Sequence, residues 1–474
     1  METNDVYDLV IVGMGAAGLA AAASAHDASN GHARIAVIER SDRDNRGGAT
    51  RWTNATLRLT DDGRFDPGWK DLVLEQSGGR ADAGYLDVVT AGAVEALDYV
   101  KQFGVEVGQV RSGLACSFNA RDGGVQTSWE PVGGGASIVE HVGNAIDQHE
   151  NTDVYYETEA VSLHVEDGVV AGVVVRGTDG RLRVLRGSSV LLACGGFEGS
   201  AEMLTQYLGE RAVDLVPIAP GILNNTGDGI RMAMSIGAGT AGQFDMIHAE
   251  PVDPRSSKAD AIVWSYMFGI VVNQDAQRFF DEGQSSLDLS FELLGWEIWR
   301  NQGQKAYLIG DNKYMKNPYS MALNQTDAEP VSADTLEELA EKLGLDPAAL
   351  AATVRTYNEA TPDSPIDPTR LDGVSTRGIE PAKSNWAEQI TTGPFYAYPL
   401  TAAVTFTFGG LRTDGDGHVL TSAGRIIPSL YAAGEIAGLY YHEYACATSV
   451  LRSLTLGRRV GLSIGSKVDI PAAA

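Results

Sequence analysis

The chain has 474 residues, 44% of them apolar and 21% charged, which excludes a disordered protein and predicts at least two packed units with a sizeable core. It carries 36 basic and 62 acidic residues, a formal charge of −26, and a field of that sign argues against nucleic acid and anionic membrane surfaces as partners. Three scattered cysteines (Cys116, Cys194, Cys446) with no CxxC pattern exclude a disulfide framework and a resident iron–sulfur or c-type haem group, and no spacing of histidines points to a metal.

The first residues are acidic where a secretion signal needs bases, and lead at once into Asp8–Val12, an apolar, β-branched run expected to be a buried parallel strand. The expectation is a cytoplasmic protein. Gly13-Met-Gly15-Ala-Ala-Gly18 follows, then an alanine-rich helix over Leu19–Ala25 and a second strand over Arg34–Glu39. Gly13 allows the tight turn, Gly15 lets the backbone approach a pyrophosphate, and Gly18 lets helix and strand pack closely. The helix N-terminus offers amides and partial positive charge to phosphate, and Glu39 stands where an acid can bind ribose hydroxyls. A lone glycine fingerprint is weak; strand, helix, second strand and acid in this order make a dinucleotide site. The motif does not itself choose between NAD and FAD.

Val190–Phe197 and Ser429–Glu435 repeat the strand-into-glycine form, so one dinucleotide fold is assembled from distant segments. Asp334–Leu343 reads as an amphipathic helix, with Leu336, Leu339 and Leu343 on one face and capping-box spacing between Asp334 and Glu337. The uncharged stretch Ile390–Leu411 contains Pro394, Pro399 and paired glycines, and reads as turns and a buried strand rather than a membrane span.

Several segments together resemble the flavoprotein family of soluble fumarate reductases, succinate dehydrogenase flavoprotein subunits, 3-ketosteroid dehydrogenases and tricarballylate dehydrogenase. They are the fingerprint, Arg46-Gly-Gly-Ala-Thr50, Pro131–Gly135, Ala193–Phe197, Thr226–Gly229, Gly269–Asn273, Gln277–Glu282, Phe408–Leu411, Ala433–Glu435 and Leu456–Arg458. The overall pattern looks most like tricarballylate dehydrogenase. The resemblance implies an α/β (α+β overall) fold: a Rossmann-like FAD domain from 1–244 and 393–474, with a capping domain inserted at 245–392. It extends the cofactor contacts from Gly13, Gly15, Gly18 and Glu39 to Ala16, Ala17, Arg40, Gly47, Gly48, Ala49, Thr50, Ala160, Val161, Ala193, Gly195, Asp228, Gly434, Glu435, Ser449, Val450 and Leu451. Asn45 stands ahead of Gly47-Gly48 where relatives attach FAD through histidine, so noncovalent FAD is expected. Ser449–Leu451 is expected to open a helix aimed at the flavin, stabilising its reduced anion.

On the substrate side, the charged anchors of fumarate reductases fall on Ser286, Thr405 and Tyr444, which argues against a doubly charged substrate. Tyr444 matches the region where ketosteroid dehydrogenases place a tyrosine against the substrate ketone, and His442 is the candidate acid or base. Arg51 is read as a carboxylate or pyrophosphate ligand or a surface residue, and Cys446 as a small buried hydrophobe. The expected activity is FAD-dependent desaturation of a C–C bond next to the carbonyl of a small cyclic ketone or keto acid, with an unidentified electron acceptor. The alternatives are a tricarballylate- or fumarate-type acid dehydrogenase or reductase, and an electron-transfer subunit without substrate chemistry.

Overall fold

The computed structural model describes residues 6–111 and 127–468; Cys116 and the tail Pro471–Ala474 lie outside them. Five parallel strands, in the order Ile426–Ala432, Val190–Leu192, Leu9–Val12, Ile35–Ile38 and Thr152–Tyr155, form the first sheet, with His418–Leu420 antiparallel at one edge. Its central strand is buried on both faces, as an apolar run of this kind requires. Leu9 and Ile11 pack among helices on one side, whereas Val10 and Val12 meet Val173 and Val175 of a three-stranded antiparallel sheet on the other. The expected helix spans Ala16–Ala28, and no ionised side chain lies in its first turn.

The two chain ends meet in the packing of that helix against Ser449–Gly465. Gly457, Gly461 and Gly465 recur every fourth residue and lie on Ala17, Ala21 and Ala25. A Cβ on the three glycines would stand 2.1, 2.3 and 2.4 Å from the respective alanine carbonyl oxygens. Matching residues ascend together on both helices, so the helices run parallel and their N-termini point the same way.

The second sheet is built on one long strand, Phe395–Thr407. It pairs with Val216–Pro217, Ile247–Val252, Ala306–Gly310 and Val331–Ala333, and Ile270–Val272 extends the sheet beyond Ala306–Gly310. The stretch Ile390–Leu411 is thus mostly buried strand, and no helix among the described residues is long and apolar enough to cross a membrane. The second sheet draws strands from both sides of 245–392, since Val216–Pro217 precedes that range and Phe395–Thr407 follows it. The amphipathic helix is present as Leu336–Leu343, but its cap is Thr335, whose hydroxyl accepts the Glu338 N–H; Asp334 lies one residue too early.

Adding a methyl at Gly461 forces the two helices apart, since the obstacle is backbone. Gly461→Ala is expected to lower unfolding stability by about 1–3 kcal/mol, read as the urea midpoint. FAD release should move to the same lower midpoint.

Candidate active site

A cleft open to solvent at its mouth runs between the two sheets. Most of the expected cofactor residues line it: Gly13, Gly15, Ala16, Ala17, Glu39, Arg40, Gly48, Ala49, Thr50, Ala160, Ala193, Gly195, Asp228, Gly434, Glu435, Ser449 and Val450. Others support it from behind. Gly13 has φ +99° and lies against the Ala193 carbonyl, and a Cβ on Gly18 would stand 2.0 Å from the Gly13 oxygen. Gly47, at φ +107°, packs on Val139. Val161 lies at a register irregularity of its strand, and Leu451 is fully buried in the helix core; neither lines the cleft.

At the fingerprint end, Thr50 Oγ1 accepts the Ala16 N–H at 3.0 Å, binding the Arg46–Thr50 loop to the helix start. Buried Glu39 accepts from the Met14 and Ser41 amides at 3.0 and 2.9 Å. Burial raises its pKa, and the two amide bonds oppose the rise. Arg40 bonds Asp228, Thr226 and the Asn224 carbonyl, which closes the loop after the second strand. Arg51 is turned away and paired with Glu140 at 2.6 Å. At the other end, buried Arg452 lies 4.9 Å over the Tyr440 ring and donates to the Ala437 carbonyl. Its Nε has no protein partner, and neither does the Thr405 hydroxyl, which also borders the cleft. Two unpartnered buried polar atoms on residues that line one cleft suit a polar group bound there. Glu435 faces Glu198 and accepts from Thr407; burial raises both carboxyls, and the charge of Glu435 adds to the rise at Glu198.

The 440–444 segment does not alternate like a strand, because the backbone turns at His442. Tyr440 and Tyr444 point inward, whereas His442, at φ 61°, is exposed, bonded through its N–H to Gln243 and off the cleft wall. The expectation that His442 takes part in chemistry therefore fails on position. Tyr444 does line the cleft, its ring edge-on to Phe406, Tyr440 and His248 at 4.8–4.9 Å. Its oxygen accepts the Thr448 and Ser449 amides, both at 2.9 Å, and so caps the Ser449–Gly465 helix. Burial raises its pKa and keeps the phenol protonated. Thr405 and Cys446 also line the cleft, Cys446 only partly buried and so not the core hydrophobe expected, while Ser286 is a buried helix N-cap elsewhere.

Sequence reasoning missed the acidic wall of the second sheet. His248 Nδ1 meets Glu292 at 2.6 Å and its Nε2 meets Glu250 at 3.2 Å, all three buried. Burial alone would lower the pKa of His248; its bonds to Glu250 and Glu292 overcome this and raise it to about 9. Burial also pushes Glu292 up to about 7. Glu250, Asp260 and Trp264 share this wall. A histidine and a glutamate two apart in an otherwise apolar strand, Ile247–Val252, were the available signal.

Gly15 differs from Gly13 and Gly18 in having room for a side chain: its nearest neighbours would be 3.4 and 3.7 Å from a Cβ. Gly15→Val is thus expected to keep the fold by circular dichroism and lose bound flavin by absorbance, because only the cofactor's space is filled. The raised His248 contributes stability that is fully present below its unfolded pKa of 6.5 and lost as pH rises through about 9. Wild type should lose stability relative to His248→Gln across that window, measured by urea midpoints at a series of pH values.

Residues 8–449 match the family model described as FAD binding domain. NADH:acrylate oxidoreductase of Vibrio harveyi is 28% identical over 81% of this chain, which spans 37% of that protein. The 3-oxosteroid 1-dehydrogenase of Mycobacterium tuberculosis is 31% identical over 63% of this chain and 57% of its own length. The open conformation of a flavocytochrome c3 fumarate reductase shares the fold, with TM-score 0.77 and 22% identity over 98% of this chain and 79% of that one. The chain belongs to the FAD binding domain family, with FAD as its cofactor.

Proposed function

We propose that this protein is an FAD-dependent dehydrogenase that desaturates the C–C bond next to the carbonyl of a small cyclic ketone. The observation that carries the reading is the bonding of Tyr444. A phenol has two acceptor lone pairs and one donor hydrogen. Two helix amides occupy the acceptor side of Tyr444, so the capacity left to it is to donate. Its position on the cleft wall makes a carbonyl oxygen the matching partner. A donor fixed in this way stabilises negative charge that develops on oxygen when the α-proton leaves.

The cleft's charge supports a ketone over a di- or tricarboxylate. Its second-sheet wall carries Glu250 and Asp260, and His248 already faces two carboxylates. A substrate carboxylate there would be desolvated beside like charges. Trp264, Phe291 and Phe406 supply apolar walls that exclude water. Bound FAD supplies the hydride acceptor, and Asn45 at the usual attachment position, bonded to Asp42, favours a noncovalent hold.

Anaerobic mixing with cyclohexanone or a 3-oxosteroid should bleach the flavin, whereas succinate and tricarballylate should not. Tyr444→Phe should retain FAD and slow bleaching by roughly 10²–10³, the cost of one preorganised donor. Rapid bleaching by an acid with none by ketones would replace this reading with the carboxylic-acid one.

A further inference from the structure

Asp260 lines the cleft, yet none of the bonds described above uses it. It sits beside the bridge between Val252 and Ile262 at φ 58°, a left-handed conformation that aspartate tolerates better than most side chains. The backbone holds it there. Its N–H donates to the Ile218 carbonyl at 2.9 Å, its carbonyl accepts from Ile262 at 2.9 Å, and Asp253 donates to Ala261 at 3.0 Å. Ile218, Ile262 and Trp264 are its apolar neighbours on the cleft wall. No side-chain hydrogen bond to Asp260 is formed among the described residues. A partly buried carboxyl with no protein partner, on a backbone held from several sides, leaves its oxygens free to meet a ligand in the cleft.

Its acidic neighbour is differently placed. Glu250 accepts from Trp264 Nε1 at 3.0 Å through one oxygen and meets His248 through the other. Both its oxygens are engaged, while those of Asp260 are available to the cleft.

We propose that Asp260 is the catalytic base, taking the α-proton of the ketone while Tyr444 donates to the carbonyl oxygen. The assignment rests on the ketone reading above. The α C–H bond breaks, its electron pair forms the enolate, and the proton goes to the Asp260 carboxylate. The carbonyl then re-forms as the new C–C double bond closes, and the β-hydrogen leaves with its electron pair for FAD. Asp260 afterwards releases its proton to solvent. The charged groups that act on Asp260 are Glu250 and His248 from the Ile247–Val252 strand and Glu130 from the Thr127–Pro131 strand. Burial first, then Glu250 and Glu130, push its carboxyl up to about 7, against the pull of His248. That suits proton transfer near neutral pH.

The test is anaerobic rapid mixing of wild type, Asp260→Asn and Asp260→Gly with cyclohexanone. Glycine removes the carboxyl and accepts the left-handed backbone, so that variant keeps the turn. Both variants should bind FAD and reduce it roughly 10²–10⁴-fold more slowly. The wild-type rate should rise as pH passes about 7, and this limb should vanish in both variants. Added formate should restore part of the lost rate to Asp260→Gly. Reduction within about threefold of wild type, or a retained pH limb, overturns the assignment while leaving the ketone reading intact. Loss of FAD from both variants overturns it as well, because Asp260 would then serve the cofactor. A wild type bleached by acids and by no ketone removes the reading beneath it.

Discussion

Contact between two glycine- and alanine-faced helices sets the geometry of the whole cleft. Ala17, Ala21 and Ala25 meet Gly457, Gly461 and Gly465 at distances only small residues allow, and the helices run parallel. Ser449–Gly465 extends eight residues further toward the cleft than the point where Gly457 meets Ala17, about 12 Å at helical rise. Two helix N-termini therefore face the same cavity at different depths. Each presents partial positive charge. One lies beside the fingerprint turn and the other beside Tyr444, so a long cofactor with anionic groups at both its phosphate and ring ends is matched along its length.

In the proposed reading, Tyr444 ties cofactor geometry to substrate geometry. Its oxygen caps the very helix whose start faces the cleft, and three edge-on aromatic contacts fix its ring. The position of the Tyr444 hydroxyl is thus set by the same helix start that faces the cleft. Across the cavity, the His248–Glu250–Glu292 cluster fixes charges on the opposite wall. The second sheet supplies this wall through Ile247–Val252, whose pairing with Phe395–Thr407 shifts register next to His248. Such a bulge re-aims side chains without removing the strand from its sheet.

The fingerprint half was legible because its chemistry is local: turn, helix start and acid lie within about thirty residues and each leaves its own residue type. Noncovalent packing between distant segments left fainter marks. The four-residue recurrence of Gly457, Gly461 and Gly465 stands in the sequence, but its partner surface does not. His248 looked idle because Glu292, which completes its ion pairs, arrives from a helix more than forty residues away. Tyr444 led His442 as a candidate in a string of polar and aromatic residues, but only the path of the backbone shows that the tyrosine turns inward and the histidine does not. Asp260 carries no motif at all, since its place on the cleft wall is a property of the folded chain.

The parallel helix pair also constrains the order in which the protein can form. Its partners are 440 positions apart, so the contact closes one of the largest loops available to the chain. Non-local contacts of this kind are reached late and slowly. During synthesis the fingerprint strand, turn and helix emerge early with the alanine face of that helix uncovered. The cofactor cavity lacks its second helix N-terminus, its tyrosine and one wall until Ser449–Gly465 has been made and docked. Flavin loading is consequently a late event in maturation, and the exposed Ala17–Ala25 face is where a nascent chain needs protection.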